Sequence, residues 1–247
     1  MDKNTVLYVI AAVLFGFIGG FLLANAMNRS EMAALRAQAT QTSPAPGGNA
    51  PSAADAGEPS LSDAEIRAKL ADAEKNAGNF EFQKNLGIAL YRYASMKSQP
   101  GLLPDVIKVL ERADSLNSKD LDVIVALGNA EFDQAFQNKD NAGFQKARET
   151  YARALAIKPG DTDVQTDSAI TWFVQPTPDL AKAAAGLEKV IAADPKHTRA
   201  MQFLVQTYVK LGRAADAQKV LDRIKTVDPN DDSIPDLTRQ VSAAQPK

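Results

Sequence analysis

The chain has 247 residues, a formal net charge of −2, one histidine and no cysteine. The lack of cysteine excludes disulfides, thiolate metal sites and thiol nucleophiles. The near-zero charge argues against a sequence-independent grip on nucleic acid, which needs clustered Lys and Arg. The C-terminal two thirds are rich in alanine and poor in glycine, which predicts an all-α domain.

The first predicted element is an apolar helix. Residues 6–27 contain no charged side chain, and as a helix they would be about 33 Å long, enough to cross the hydrocarbon core of a bilayer. We interpret them as a transmembrane helix that follows a short tail, residues 1–5. The alternative is a signal peptide cleaved after Ala26, because Ala24 and Ala26 resemble a small-residue cleavage site.

The charges beside this span leave its orientation open. Lys3 precedes it, whereas Arg29 and Arg36 follow it, so the positive-inside rule favours neither direction. The tail is short enough to stay in the cytoplasm, and the segment after the span has the composition of an exported tether. This favours a single-pass protein of the bacterial inner membrane with a periplasmic domain, and a cytoplasm-facing domain is the alternative.

One face of the predicted span carries small residues four positions apart. Such a seam lets two membrane helices approach closely, which makes a homodimer one hypothesis. The alternative is that Gly and Ala are simply common in membrane helices. The seam consists of Ala12, Gly16, Gly20 and Ala24.

Residues 28–60 are rich in Pro, Ala, Ser and Gly. This composition cannot bury a core, so we expect a disordered linker with an r.m.s. span of roughly 30 Å. Ser62 and Glu65 then match a capping box, which predicts a helix that closes near Gly78. We interpret residues 61–79 as an N-terminal half-repeat.

The clearest repeat lies near the end of the chain, in residues 198–231. An apolar stripe predicts a first helix, Gly212 marks a turn, and a second helix ends before Pro229. Thirty-four residues in this order resemble a tetratricopeptide repeat (TPR). A helix pair of this size cannot bury its apolar face alone, so the resemblance predicts similar neighbours. The stripe of the first helix is Met201, Leu204, Val205 and Tyr208.

Three earlier units, residues 80–120, 121–161 and 162–197, repeat this pattern. Each has a small residue where its two helices must touch, and these are Gly87, Gly128 and Ala169. With a capping helix in residues 233–247, the resemblance implies a right-handed superhelix of four repeats across residues 80–232. The apolar positions of the four second helices are Val106, Leu110 and Ala113; Ala147, Tyr151 and Ala154; Ala183, Leu187 and Val190; and Ala217, Leu221 and Ile224.

Several positions depart from the TPR pattern. The first two units are 41 residues long, and we expect the excess over the family length in the interhelix turns, residues 95–105 and 137–146. Thr177 followed by Pro178 predicts the cap and first residue of a second helix. Val205 replaces the small residue of the last unit, which predicts a wider helix separation there.

The sequence contains no catalytic constellation, phosphate-binding loop or cluster of metal ligands. We therefore predict that the protein is not an enzyme and needs no cofactor. His197 follows Pro195 closely and is interpreted as a solvated turn residue. Carboxylates interspersed with Lys and Arg, such as Glu188 and Asp222, are interpreted as solvated helix faces.

The remaining candidate site is the concave surface that stacked first helices build. Tyr91, Phe132 and Phe173 recur every 41 residues, with Val209 as a fourth member. If they face the groove, they form a ladder suited to an extended or helical peptide. A one-residue change of helix phase would place them in the core, and both alternatives stay open. Trp172 and Phe173 are adjacent and cannot both face the core. The predicted groove comprises Lys84, Ile88, Tyr91, Asn129, Phe132, Ile170, Phe173, Gln206 and Val209.

Some TPR proteins hold a chaperone's C-terminal carboxylate in a clamp of Lys, Asn and Arg. Lys84 matches one clamp position, but Ile88 and Ala126 stand where the asparagines belong. The clamp is therefore not expected here. Lys84 instead begins a row of equivalent positions with Val125, Thr166 and Gln202.

The resemblance implies a membrane-tethered scaffold or adaptor that binds a protein or peptide segment in its concave groove. Membrane-anchored bacterial TPR proteins of this architecture act in envelope protein assembly and in cytochrome c biogenesis, which the resemblance offers as a context. A self-associating structural scaffold in the membrane, without a dedicated client, is the alternative.

The seam hypothesis makes a direct prediction. Replacing both Gly16 and Gly20 by leucine should abolish a crosslinked dimer of the full-length chain in native membranes, because leucine side chains would separate the two helices. Ile18→Leu, on the opposite face of the same helix, should leave the dimer intact. A dimer signal that survives the double substitution would contradict the seam.

Overall fold

The structure is a computed structural model that describes residues 61–245. Within this range all regular structure is helical, with ten α-helices and one 3₁₀ turn. No helix of this range combines the length and apolarity needed to cross a bilayer. Several predictions lie outside the described residues: the tail (1–5), the membrane span (6–27) with its seam (Ala12, Gly16, Gly20 and Ala24), the linker (28–60) and the last two residues of the predicted cap.

The helices form four successive pairs between two single helices. The N-terminal single helix is α1 (Asp63–Lys75), and the C-terminal one is α10 (Ile234–Ala244). A 3₁₀ turn (Pro100–Leu102) lies within the first pair. The pairs are α2 (Phe80–Met96) with α3 (Leu103–Leu116), α4 (Leu121–Asn138) with α5 (Asn141–Ile157), α6 (Thr162–Val174) with α7 (Leu180–Ala193), and α8 (Thr198–Lys210) with α9 (Ala214–Val227).

Side-chain caps fix most helix starts. The predicted capping box is confirmed: Glu65 N donates to Ser62 Oγ at 3.3 Å, and Ser62 N donates to Glu65 Oε2 at 2.8 Å. Five further helices begin at an Asn or Asp whose side chain accepts a first-turn N–H, which satisfies one of the unpaired donors of a helix start. These caps are Asn79, Asp120, Asp140, Asp161 and Asp179.

The predicted start of α7 at Thr177 was wrong by two residues. Asp179 is the cap, and its Oδ1 accepts from Lys182 N at 3.0 Å. Asp179 N donates to Trp172 O at 2.9 Å, which ties this residue to the end of α6. The backbone around Pro178 therefore belongs to the turn, and the helix begins only after it.

Three first helices end in the same turn. One residue adopts a left-handed conformation, and the next N–H bonds to the carbonyl five residues earlier, which closes the helix. Glycine provides this turn at Gly212, as predicted, whereas Ser98 and Lys139 provide it with φ of 50° and 52°. The closing bonds are Gln99 N to Ala94 O at 2.8 Å, Asp140 N to Ala135 O at 2.9 Å, and Arg213 N to Tyr208 O at 2.8 Å.

The extra length of the second unit lies in its helices, so the predicted long turn over residues 137–146 was wrong. α4 has 18 residues and α5 has 17, against 13 and 14 in α6 and α7. Only Lys139 and Asp140 separate α4 from α5. Phe144, in the added first turn of α5, is fully buried and packs edge-on against Phe132 with ring centroids 5.6 Å apart. This contact supplies the apolar burial that holds the longer helices.

The core runs along the interior of the helix pairs. All twelve apolar positions predicted for the four second helices are at most 1% exposed, which confirms the helical phase assigned to them. The small residues predicted between paired helices also lie at close contacts. A Cβ on Gly87 would approach Leu110 Cδ2 to 2.7 Å, and a Cβ on Gly186 would approach Ala169 Cβ to 2.8 Å.

Gly128 gives the sharpest test of this packing. A methyl group there would lie 2.8 Å from Cε1 of the buried Tyr151 ring, so Gly128→Ala should lower the free energy of unfolding by about 1–3 kcal/mol. Urea denaturation of the full-length chain would measure the loss. Gly160→Ala is the matched control, because a Cβ there meets nothing within 4 Å. Equal stabilities for the two variants would contradict the close approach of α4 and α5.

Candidate functional site: the concave face

The first helices of consecutive pairs contact one another. α2 lies against α4, α4 against α6, α6 against α8, and α8 against α10. In a solenoid of stacked helix pairs this layer lines the concave face. The side chains that point out of this layer are the candidates for a binding site.

The concave layer is linked by polar contacts near the helix starts. Lys84 on α2 pairs with Asp120, the cap of α4, with Nζ 2.8 Å from Oδ2. Its Nζ also lies 2.9 Å from Oδ2 of Asp122. Hydrogen bonds to these two carboxylates raise the pKa of Lys84. The residue that matched a clamp position is thus held by the chain's own carboxylates.

Similar polar contacts between a first helix and the start of the next element recur in later pairs. Thr166 Oγ1 on α6 lies 3.3 Å from Nε2 of His197, the cap of α8. Gln202 Nε2 on α8 donates to Asp231 Oδ2 at 2.6 Å, just before α10. Val125 occupies the equivalent position of α4 and has no polar atom to offer. Of the four equivalent positions, Lys84 and Thr166 therefore join consecutive helix pairs, and Gln202 joins the last pair to the segment before α10.

The interpretation of His197 as a solvated turn residue was wrong. Its side chain is only 8% exposed. Nδ1 accepts from Ala200 N at 3.2 Å, while Nε2 lies 3.2 Å from Asp163 Oδ1. The histidine replaces the aspartate or asparagine used at other caps, because its second ring nitrogen can also reach the neighbouring helix.

A row of charged and phenolic groups crosses the floor of the concave face. Tyr91 OH on α2 donates to Asp133 Oδ2 on α4 at 3.0 Å, and Arg199 on α8 pairs with Asp167 on α6. Burial and the neighbouring Asp167 carboxylate raise the pKa of Asp133 to about 7. Burial also raises the pKa of Asp167, although Arg199 offsets part of that effect. Together with Tyr91 and Arg199, the two carboxylates form one cluster that spans four first helices.

Asn129 adds an oriented amide to this floor. Tyr151 OH donates to Asn129 Oδ1 at 2.8 Å, which fixes the amide so that its nitrogen points away from that hydroxyl. Within residues 61–245 this Nδ2 has no hydrogen-bond partner. Asn129 lies one helical turn before Asp133 and is partly exposed.

The predicted aromatic ladder does not line the groove. Phe132 is 5% exposed and packs against Phe144 within its own pair. Phe173 is 2% exposed and packs edge-on against Phe203 of α8, with ring centroids 5.6 Å apart. The ladder positions of α4 and α6 therefore face the core, as the alternative helical phase predicted. Their partner Tyr91 differs because its hydroxyl reaches the polar floor.

The other predicted groove residues also fall into a buried group and a partly exposed group. Ile170 and Gln206 are 1% and 5% exposed and belong to the interior, so their placement in the groove was also wrong. The remaining ones are partly exposed, and they are Lys84, Ile88, Tyr91, Asn129 and Val209.

Sequence reasoning missed Asp133, Asp167 and Arg199, which form most of the polar floor. Their charge suggested ordinary solvated helix faces. The residue spacing could have indicated their position. Asp133 follows Asn129 by four residues and Arg199 precedes Gln202 by three, so each lies on the same helix face as a predicted groove residue. Among residues 61–245, no group of three or more His, Asp or Glu side chains is arranged to hold a metal ion.

Paired helices that stack through their first members define an α-solenoid with a concave groove. Residues 179–240 match the tetratricopeptide repeat family, and the remaining pairs continue the same fold. The tetratricopeptide repeats that the sequence resemblance predicted are thus confirmed for residues 179–240, and the other pairs share their fold. No curated protein matches the chain by sequence.

Solved structures show the same fold at low sequence identity. The protein MamA is 23% identical, with a TM-score of 0.52 over 68% of this chain and 88% of that one. MamA from Desulfovibrio magneticus RS-1, from residue 41 onward, is 16% identical, with a TM-score of 0.54 over 69% and 88%. A thermophilic TPR protein of Thermus thermophilus is 16% identical, with a TM-score of 0.52 over 72% and 97%.

The raised pKa of Asp133 predicts a pH dependence of stability. Between its ordinary value of 3.8 and about 7, the folded state binds more protons than the unfolded state, so stability falls as pH rises through this window. Asp133→Asn keeps an acceptor for Tyr91 but cannot ionise. At pH 8 it should be more stable than the wild type by about 1–2 kcal/mol, with solvent access reducing the full effect.

Urea denaturation of both full-length proteins at pH 4, 6 and 8 would measure this difference. The stability gap should close near pH 4, because the wild-type Asp133 carboxyl is then protonated and is uncharged like the asparagine of the variant. Asp72→Asn, at an exposed position paired with Lys75, is the matched control and should show no such gap. A gap at position 133 that stays constant across the pH range would rule out the titration.

Proposed function

We propose that this protein is an adaptor that holds a segment of another protein in its concave groove. We further propose that the predicted span, residues 6–27, tethers this groove to a bacterial inner membrane, with the repeats on the periplasmic side. The fold supports a binding role, because a solenoid of helix pairs presents one long surface.

The observation that carries the proposal is the ordered polar floor of the groove. Asn129 and Asp133 lie on α4 and Asp167 lies on α6, the next first helix, and each is held by a neighbouring side chain. Polar groups fixed before a ligand arrives lose little entropy on binding. Packing of the solenoid alone would be served equally well by apolar side chains at these positions, so their presence favours a recognition role.

The chemistry of this floor suits a polypeptide. The two N–H donors of the Asn129 amide can bind a main-chain carbonyl, and the Asp133 carboxylate can accept a main-chain N–H. The partly exposed Ile88 and Val209 lie on the first and last helices of the row and offer apolar contacts. Alternating main-chain bonds and apolar pockets are the means by which extended segments are recognised.

The membrane context narrows the biological setting. A groove held near the periplasmic surface would meet polypeptides that emerge from the membrane. We propose envelope protein assembly, including cytochrome c-type biogenesis, as the setting in which such an adaptor acts. The support for this step is the predicted span and linker together with the repeat architecture.

Site-specific photocrosslinking tests the groove. A photoreactive phenylalanine analogue at Ile88 or Val209 of the full-length chain should crosslink a partner in native membranes. The same analogue at Lys189, on the exposed side of a second helix, should not. Asn129→Ala should lower the yield at position 209 by about fivefold, the loss expected for one or two hydrogen bonds.

Mass spectrometry of the crosslinked species would identify the bound segment. Equal yields at positions 88, 189 and 209 would overturn the groove assignment, because they would indicate contact without preference for the concave face. An unchanged yield in Asn129→Ala would remove the polar floor from recognition even if the groove binds.

A further inference from the structure

A cavity lies at the edge of the solenoid, apart from the polar floor of the concave face. Its volume is about 720 Å³, within the range of small-ligand and peptide side-chain sites. Its walls come from three successive helix pairs and meet at the turns inside those pairs. The lining residues are Asn141, Gln145, Arg148, Trp172, Gln175, Thr177, Pro178, Asp179, Leu180, Ala181 and Leu211.

Two cations lie against the one tryptophan of the chain. The Arg148 guanidinium carbon is 3.6 Å from the centroid of the Trp172 ring, and Lys182 Nζ is 4.3 Å from it. Cations at these distances are attracted by the aromatic ring, which also removes part of their hydration. Burial lowers the pKa of Arg148, which shows that its charge carries a desolvation cost.

The acceptors that Arg148 contacts are neutral. Nη1 donates to Thr171 Oγ1 at 3.0 Å and to Gln175 Oε1 at 3.2 Å. Within residues 61–245 no hydrogen bond engages Nη2 or Nε of this guanidinium. A partly buried arginine commonly faces a carboxylate, with which it can form two parallel bonds. Here Nη2 and Nε, which could form two such parallel bonds, remain available to a ligand in the cavity.

The nearby carboxylate of Asp179 is already engaged. Its Oδ1 accepts from Lys182 N at 3.0 Å as the helix cap, and its Oδ2 lies 3.2 Å from Lys182 Nζ. Asp179 therefore pairs with Lys182 and not with Arg148. Glu149 acts on the charge of Arg148, but no carboxylate of residues 61–245 forms a salt bridge with its guanidinium. The remaining donors of this guanidinium match one carboxylate. A phosphate carries nearly two negative charges at neutral pH and would be repelled by Asp179.

We propose that this cavity binds a carboxylate side chain of an acidic protein segment. Arg148 holds the carboxylate, and the Trp172 ring with Leu211, which is 38% exposed, contacts the apolar residue beside it. Glutamate next to leucine is the simplest sequence that satisfies both contacts. The site is separate from the concave groove, so it can be occupied whether or not the groove holds a client.

Trp172 also provides the measurement. Because the chain has a single tryptophan, its emission comes entirely from this cavity. The full-length chain, solubilised in detergent, is titrated with an acetylated and amidated pentapeptide of alternating leucine and glutamate. We expect a saturable change in emission with a midpoint of about 0.1–1 mM, as for a single charged anchor with limited burial.

Two variants test the assigned contacts. Arg148→Gln should raise the midpoint by about tenfold, the loss of a charge-assisted hydrogen bond. Lys182→Glu changes a side chain that is 60% exposed, so the fold is kept while the rim repels the ligand; it should weaken binding at least severalfold. Arg153→Gln, on the same helix but outside the cavity and paired with Asp114, is the matched control and should bind normally.

Two ligand controls complete the experiment. The pentapeptide with glutamine in place of glutamate should not bind, and inorganic phosphate should produce no saturable change. Binding of the glutamine peptide at the same midpoint, or no response to the glutamate peptide, would overturn the proposal. A saturable response to phosphate that depends on Arg148 would also overturn it, because it would identify a phosphate site instead.

Discussion

A helix pair can bury its apolar face only when another pair lies against it, so the junction between consecutive pairs is the constraint on which this structure depends. Close packing fixes the separation within a pair, as at Gly128 against the Tyr151 ring. At two of the three junctions between pairs, a polar side chain of one first helix contacts the cap of the next, as Lys84 does with Asp120. Such a contact sets the start of the following helix as well as its distance.

The same junctions decide what the concave face can offer. Because the first helices lie directly against one another, bulky apolar residues between them are buried, as Phe173 is against Phe203. Several polar groups left at the surface are tied to each other across the helices, as Tyr91 is to Asp133. Asp133 shows the cost of this arrangement, since its pKa of about 7 means that its ionised form is disfavoured at neutral pH. A group kept at such a cost is a better candidate for recognition than an apolar residue that packing alone explains.

The sequence was most informative where apolar residues recur with a clear helical period. Apolar positions at helical spacing predicted the second helices, and the small residues at Gly87, Gly128 and Ala169 predicted their contacts with the first helices. Helix ends were predicted only where the residue type is nearly obligatory, as at Gly212. The left-handed turn at Lys139 carries no such signal, because a residue other than glycine can adopt it when the closing hydrogen bonds compensate for the strain. The long turn expected after α4 was therefore a consequence of not recognising this turn.

The groove was predicted less well because its residues differ from core residues by one step of helical phase. A shift of one position turns a side chain by about 100°, and Phe132 and Phe173 fall on the interior side of that boundary. Neighbouring positions then acquire opposite surroundings. Phe173 lies between α6 and α8, whereas Trp172 reaches the edge of the solenoid, and this confirms the expectation that the two could not share the core.

The extra length of the second unit contributes to the edge cavity. α5 begins at Asn141, and its first turns carry Asn141, Gln145 and Arg148 along one wall of the edge cavity. A second helix of the ordinary 14 residues, as in α7, would lack the first of these turns and leave that wall incomplete. The departure from the family length therefore does not project a loop from the solenoid. It extends a rigid helix that completes the cavity wall from which Arg148 contacts Trp172.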